Sequence, residues 1–225
     1  MDTSRQEPNH QKLSNVRRRT RRAMIEAATR LVREGASPSV AEVADAAEVS
    51  RATAYRYFPT QESLLAEVLL PDLEEALATE ALAAEGEDPE ARLRAAFGVF
   101  WSSYVSHEEA YRTILRRGLE RPAGESVERG SGGGGGSAEE EESVRSSLRA
   151  GRRVEWLRNA LAPARREGMD EASFERLVAA MCLCVGVEAL VVLRDVCGLE
   201  AQEAEEVARW AALALLRAGL LLGES

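Results

Sequence analysis

The sequence predicts an all-α fold of about nine helices, with a small N-terminal three-helix unit followed by a larger helical body. Apolar residues recur at steps of three and four along most of the chain, the spacing of one helix face, and no segment keeps the alternation of a strand. Capping residues, glycines and prolines cut this pattern into segments of helical length. With 45% of its 225 residues hydrophobic, the chain has the apolar content for a packed core.

Residues 1–16 are polar, include Pro8-Asn9, and are expected to be a disordered tail. From Arg17 to Glu34, Met24, Ala27, Ala28, Leu31 and Val32 mark one helix face, and Gly35 ends it. Ser39 is a good N-cap for a short second helix carrying Val40, Val43, Ala44 and Ala47. Ser50 can cap a third, Arg51–Phe58, which Pro59 closes. A long fourth helix starts at Gln61 and runs to about Ala84, with a kink or break expected at Pro71.

Asp88-Pro89 pairs an N-cap with proline in the first turn. The helix it opens carries Leu93, Phe97, Phe100, Trp101 and Tyr104 on one face. Another helix covers Glu108–Leu119. Residues 121–142 hold five consecutive glycines and four consecutive glutamates and read as a flexible loop with no specific role. Helix returns over about Ser143–Glu167. Asp170 caps a helix over Glu171–Val196, which Gly198 stops. The last, about Gln202–Leu222, puts Val207, Trp210, Ala211, Ala214, Leu215 and Ala218 on one face.

Charge divides the chain in the same way. The whole carries 29 Lys+Arg and 38 Asp+Glu, a net of −9. Residues 1–60 hold 11 basic and 7 acidic residues, a net of +4, so the remainder carries −13. The sharpest basic feature is Arg17, Arg18, Arg19, Arg21 and Arg22. Alone it would be a solvated run; beside the short helices it becomes a candidate phosphate grip. The N-terminus shows no secretory signal, and the longest apolar run, Val178–Leu193, is broken by Glu188. Three cysteines, an odd number, suit a reducing compartment, so a cytoplasmic location without membrane contact is expected. Only two histidines exist, no metal or cofactor is expected, and no nucleophile–base pair or phosphate loop points to an enzyme.

The second and third helices form a helix-turn-helix candidate. Val40, Val43, Ala44, Ala47 and Val49 supply the inner packing. Arg51, Thr53, Tyr55 and Arg56 supply donors suited to phosphates or base edges. The run Ser39-Val40, Val43-Ala44, Ala47, Val49-Ser50, Thr53, Tyr55, Tyr57-Phe58 and Leu64-Leu65 resembles the DNA-binding domain of the TetR family of bacterial transcriptional regulators. The resemblance covers about 50 residues by motif and sets the expected domains at 17–62, binding DNA, and 63–225, binding a ligand and dimerising.

The resemblance implies roles. Ser39 caps and touches phosphate, and Arg51 is the candidate for a guanine edge. Thr53, Tyr55 and Tyr57 touch backbone or base edges, and Phe58 anchors the helix. Ser50, Arg56, Arg17, Arg18 and Arg21 complete the expected DNA face. Two positions depart from the family: Gln61, where lysine is common and which as a DNA contact can still donate a hydrogen bond to phosphate but adds no charge, and Glu48, where glycine is common. If that turn needs φ > 0, Glu48 is strained by about 1 kcal/mol.

The implied partners are a double-stranded operator, an unidentified small-molecule effector and a second copy of the chain, joined through the last two helices. Phe97, Phe100, Trp101, Tyr104, Tyr111 and Trp156 could line an apolar cavity with His107 at its mouth, although such a stripe is more often plain core. Glu188 falls on the stripe of Met181 and Cys184. As a buried carboxylate it needs a partner, an arginine or, less simply, a ligand. Two rival readings are a ligand-independent DNA-binding scaffold and a helical enzyme using the cavity.

Overall fold

A computed structural model describes residues 7–83, 88–120, 152–166 and 169–223. These residues form ten helices and no strand: α1 Glu7–Arg33, α2 Val40–Ala46, α3 Arg51–Tyr57, α4 Gln61–Ala83, α5 Pro89–Ser106, α6 Glu108–Leu119, α7 Arg152–Arg166, α8 Glu171–Cys184, α9 Val187–Val191 and α10 Ala201–Gly223. A π-helical turn, Val192–Val196, continues α9. The expected loop 121–142 and the start of the helix expected from Ser143 lie outside the described residues.

Three differences from the sequence reading have physical causes. Helix from Glu7 replaces the tail expected to run to residue 16, because Pro8 sits in the first turn, where a missing N–H costs nothing. Pro71 lies inside α4, which runs through it between the buried anchors Leu69 and Leu77. The helix expected over Glu171–Val196 is broken at Val185-Gly186, and the two parts are bent by 42°. The tips of the Arg153 and Glu188 side chains cross over Gly186 where a Cβ would stand, so a larger residue there would have to displace them. The break produces the tenth helix.

Caps fall where the sequence puts them. Ser39 and Glu42 form a reciprocal capping box on α2, and Asp88 and Asp170 accept from Glu90 N and Ser173 N. Gly35 and Gly198 take positive φ at helix ends.

The N-terminal unit packs Met24, Ala28 and Val32 of α1 against Val40, Val43 and Ala44 of α2, then Ala54, Phe58, Leu64 and Leu65. Its core is continuous with that of the body, where α5 lies among α4, α7 and α10, and α8 packs against α7 and α10. Among the described residues no single helix is long and apolar enough to cross a membrane.

Candidate nucleic-acid interface

The turn between α2 and α3 is a Schellman-type ending. Val49 N donates to Ala44 O at 2.9 Å and Glu48 N to Asp45 O at 3.3 Å, which places Glu48 at φ 55°. The side chain of Ser50 then accepts from Thr53 N and bonds Thr53 Oγ1 at 2.9 Å, so the first turn of α3 is fixed by its own residues. Ala54 and Phe58 face the core, and Tyr57 is half-buried under the guanidinium of Arg56. Arg51, Tyr55 and Arg56 are exposed on the far side.

Ser39, Tyr55 and Gln61 line one groove of about 450 Å³ together with Arg117 at the end of α6. Arg117 carries an ion pair to Glu120. Gln61 is turned inward, its Nε2 donating to Ser37 O at 2.9 Å. Arg17 and Arg18 are exposed on α1. Arg21 is paired with Glu67 of α4 and lies over the Phe58 ring, so it ties α1 to the two later helices. Arg51 is paired with Asp45 at 2.8 Å. The hydrogen bond from Arg51 holds the Asp45 carboxyl below its ordinary range and raises the Arg51 guanidinium in turn. Asp45 carried no signal in the sequence, since its contact with Arg51 crosses the turn and follows no helical repeat, and nothing in the sequence brings Arg117 of α6 to the groove of Ser39 and Tyr55.

Helix α6 links this face to the π-helical turn of the body. Ser37 Oγ donates to Thr113 Oγ1 at 2.9 Å. The preceding residue, Arg112, makes a two-pronged contact with Asp195, at 2.6 and 2.7 Å, and Glu108, one turn before it, receives both Arg112 and Arg194. The π-helical turn is therefore clamped to α6.

The residues expected to bind a ligand fall in different places. Phe97 and Trp101 stack at 5.7 Å and Tyr104 meets Tyr111 edge-on at 4.8 Å, all buried, with Met181. Burial raises both tyrosines, Tyr111 to about 12. Trp156 lines a small cavity with Leu77 and Arg92. His107 joins α5 to α6, its Nδ1 3.2 Å from Ser103 O, at the edge of a separate surface groove.

Cys184 and Glu188 line an open trough of about 480 Å³, walled by Leu183, Val192 and Val207. Glu188 is not buried. Its side chain is 48% exposed, because the break at Gly186 turns it off the stripe of Met181. Its partner is Arg153 of α7, at 2.8 and 3.3 Å and only 14% exposed. Burial works against the Arg153 charge, and Glu188 with Tyr104 and Cys182 together more than offset it. Burial also raises the Cys184 thiol, while Cys197 is exposed rather than a buried hydrophobe.

The apolar face read for the last helix is the one its own subunit leaves open. Ala204, Ala208, Ala212 and Leu216 of α10 are buried. Val207, Trp210, Ala214 and Ala218 are exposed, Trp210 by 71%, beside Leu183, Val192 and Val196 of the preceding segments.

Residues 24–68 match the family model described as bacterial regulatory proteins, tetR family. Over these residues the chain is similar to a tetR-family helix-turn-helix domain. The whole chain is similar to two solved structures. A tetR-family transcriptional regulator from Streptomyces coelicolor is 21% identical, with a TM-score of 0.56, covering 90% of this chain and 82% of that one. A TetR transcriptional regulator from Rhodococcus sp. RHA1 is 17% identical, with a TM-score of 0.57, covering 88% and 97%. No curated protein matches the chain. The domain and the helical body behind it share the fold of these two structures.

Proposed function

We propose that this protein is a one-component repressor that binds a palindromic operator as a homodimer and releases it when an effector binds the body. The observation that carries the reading is α3: a short helix capped at its start, anchored by Ala54 and Phe58, with Arg51, Tyr55 and Arg56 outward. Arg51 meets a base edge. Tyr55, Ser39, Ser50, Thr53 and Tyr57 hold the backbone, and Arg17 and Arg18 grip flanking phosphates. Dimerisation uses the open apolar face of α10 and the segment before it, since a monomer leaves Trp210, Leu183 and Val196 in water. The two α3 helices then meet successive major grooves about 34–36 Å apart.

An effector acts only through differential affinity for two arrangements of the dimer. The trough at Arg153, Cys184 and Glu188 lies beside the dimer face, and α6 runs from the clamped π-helical turn to Ser37, so a shift there reaches the DNA face. The filled aromatic interior favours a second reading, a dimeric DNA-binding scaffold with no effector. Release of an operator duplex from purified dimer by small-molecule extracts separates the two.

The reading is tested with a duplex that the purified protein selects from a randomised pool. An Arg51→Ala, Tyr55→Ala double variant should lose the selected duplex yet remain dimeric in sedimentation. Trp210→Glu should become monomeric and lose it as well. A double variant that keeps wild-type selectivity overturns the site.

A further inference from the structure

Asp45 and Arg51 bracket the turn on which the recognition helix hangs. Asp45 lies in the last turn of α2 and Arg51 is the first residue of α3. Neither charge suits its own helix: the carboxylate stands at the negative end of α2 and the guanidinium at the positive end of α3. Across the turn each meets the end that suits it, and the two close to 2.8 Å. The left-handed residue Glu48 and the Val49 N to Ala44 O bond fix how near they lie. Glu42, the neighbouring acid, is committed to the Ser39 capping box and does not compete for Arg51.

The side chains of Arg51 and Asp45 are 65% and 61% exposed, so the contact adds little to stability. Its consequence is positional. A free arginine samples many rotamers, and fixing them is a cost of binding. Asp45 Oδ2 takes one N–H of Nη2, and the other Nη2 proton with a neighbouring guanidinium N–H leaves one fork to reach a base edge in the same plane. A carboxylate beside the phosphates also opposes attachment to DNA of any sequence.

We infer that Asp45 is a positioning residue for operator recognition, holding Arg51 in the geometry in which its guanidinium meets a base, while its charge restrains sequence-independent binding. The inference rests on the reading of Arg51 as a base contact. The test uses the duplex selected by the wild-type dimer, its single-base-pair variants, and an unselected duplex of equal length, with affinities read by anisotropy at one salt concentration. Asp45→Ala should lower the preference for the selected duplex by about 3- to 10-fold, the range set by immobilising one rotamer-rich side chain. The loss should fall at the base pairs where Arg51→Ala loses discrimination, and the double variant should lose no more than Arg51→Ala. Affinity for the unselected duplex should rise.

Equal change on both duplexes, or additive losses in the double variant, overturns the inference. If Arg51→Ala itself leaves discrimination intact, both the inference and the base-contact reading fail. If Arg51→Ala loses discrimination and Asp45→Ala does not, only the Asp45 inference fails. Circular dichroism of both variants checks that the exposed substitutions leave the fold intact.

Discussion

Glu48 gives the sharpest quantitative prediction. Two helix ends in the N-terminal unit share one geometry. At the end of α1, Ala36 N donates to Leu31 O and Gly35 N to Val32 O, and Gly35 takes φ 85°. At the end of α2 the same two bonds form, but Glu48 occupies the left-handed position at φ 55°. A side chain there costs about 1–2 kcal/mol. Glycine recovers that but loses about 0.5–1 kcal/mol of unfolded-state freedom. Glu48→Gly should therefore stabilise by about 0.5–1 kcal/mol relative to Glu48→Ala, which removes the charge but keeps the Cβ. For a chain of this size that is a rise in Tm of about 1–4 °C. The comparison is made at one protein concentration, because dimerisation shifts apparent stability. If the N-terminal unit opens before the body, amide exchange at Val49 N–H reports the same difference locally. Both variants lose the same acidic group, so any gain in DNA affinity should be equal in the two. A glycine variant no more stable than the alanine variant by either readout refutes the strain argument.

Replacing Arg17 and Arg18 together by alanine should make the slope of log K against log salt shallower by about 1.8, near 0.9 for each phosphate no longer neutralised, without changing which duplex is selected. An unchanged slope removes both residues from the interface. Glu90 supplies a pH prediction. Hydrogen bonds from Arg217 and then Arg94 hold its carboxyl down to about 2, below its ordinary value of 4.5. Because the folded value is depressed, the stabilisation is complete above about pH 4.5 and is lost as pH falls from there toward 2. Glu90→Gln should flatten the dependence of Tm on pH in that window, and parallel curves for the two proteins would refute the assignment.

The helix-turn-helix was readable because its determinants are local. Ser39, Glu42 and Ser50 act within three residues, and Val40, Val43 and Ala44 follow one helical repeat. The Glu48 strain was readable as a departure from a pattern, and the left-handed φ bears it out. An arginine partner for Glu188 was expected and Arg153 supplies it, but which residues pair was not readable. Asp45 with Arg51, Arg112 with Asp195 and Arg153 with Glu188 join residues across a turn or across helices, at separations set by packing. The break at Gly186 was hidden for a related reason. A glycine inside an apolar run looks like a small residue for close approach, and the Arg153 and Glu188 tips that cross over it come from outside that run's repeat.

The aromatic stripe and the last helix show what periodicity leaves undecided. Phe97, Trp101 and Tyr104 share a face that turns out to be core. Val207, Trp210, Ala214 and Ala218 share a face just as regular, and the subunit leaves it open. The sequence signal is the same because burial in a fold and burial against another copy impose the same repeat. On α10 the difference lies on the opposite side. Ala204, Ala208, Ala212 and Leu216 already satisfy the body, and Gly219 lets Leu177 of α8 come close. A helix with one face packed inward and another, carrying Trp210, left to water fits the two contacts that the proposed dimer needs. This division makes the Trp210→Glu experiment decisive for assembly: the substitution falls on the face that the subunit does not use, so it should abolish the dimer while leaving the monomer folded.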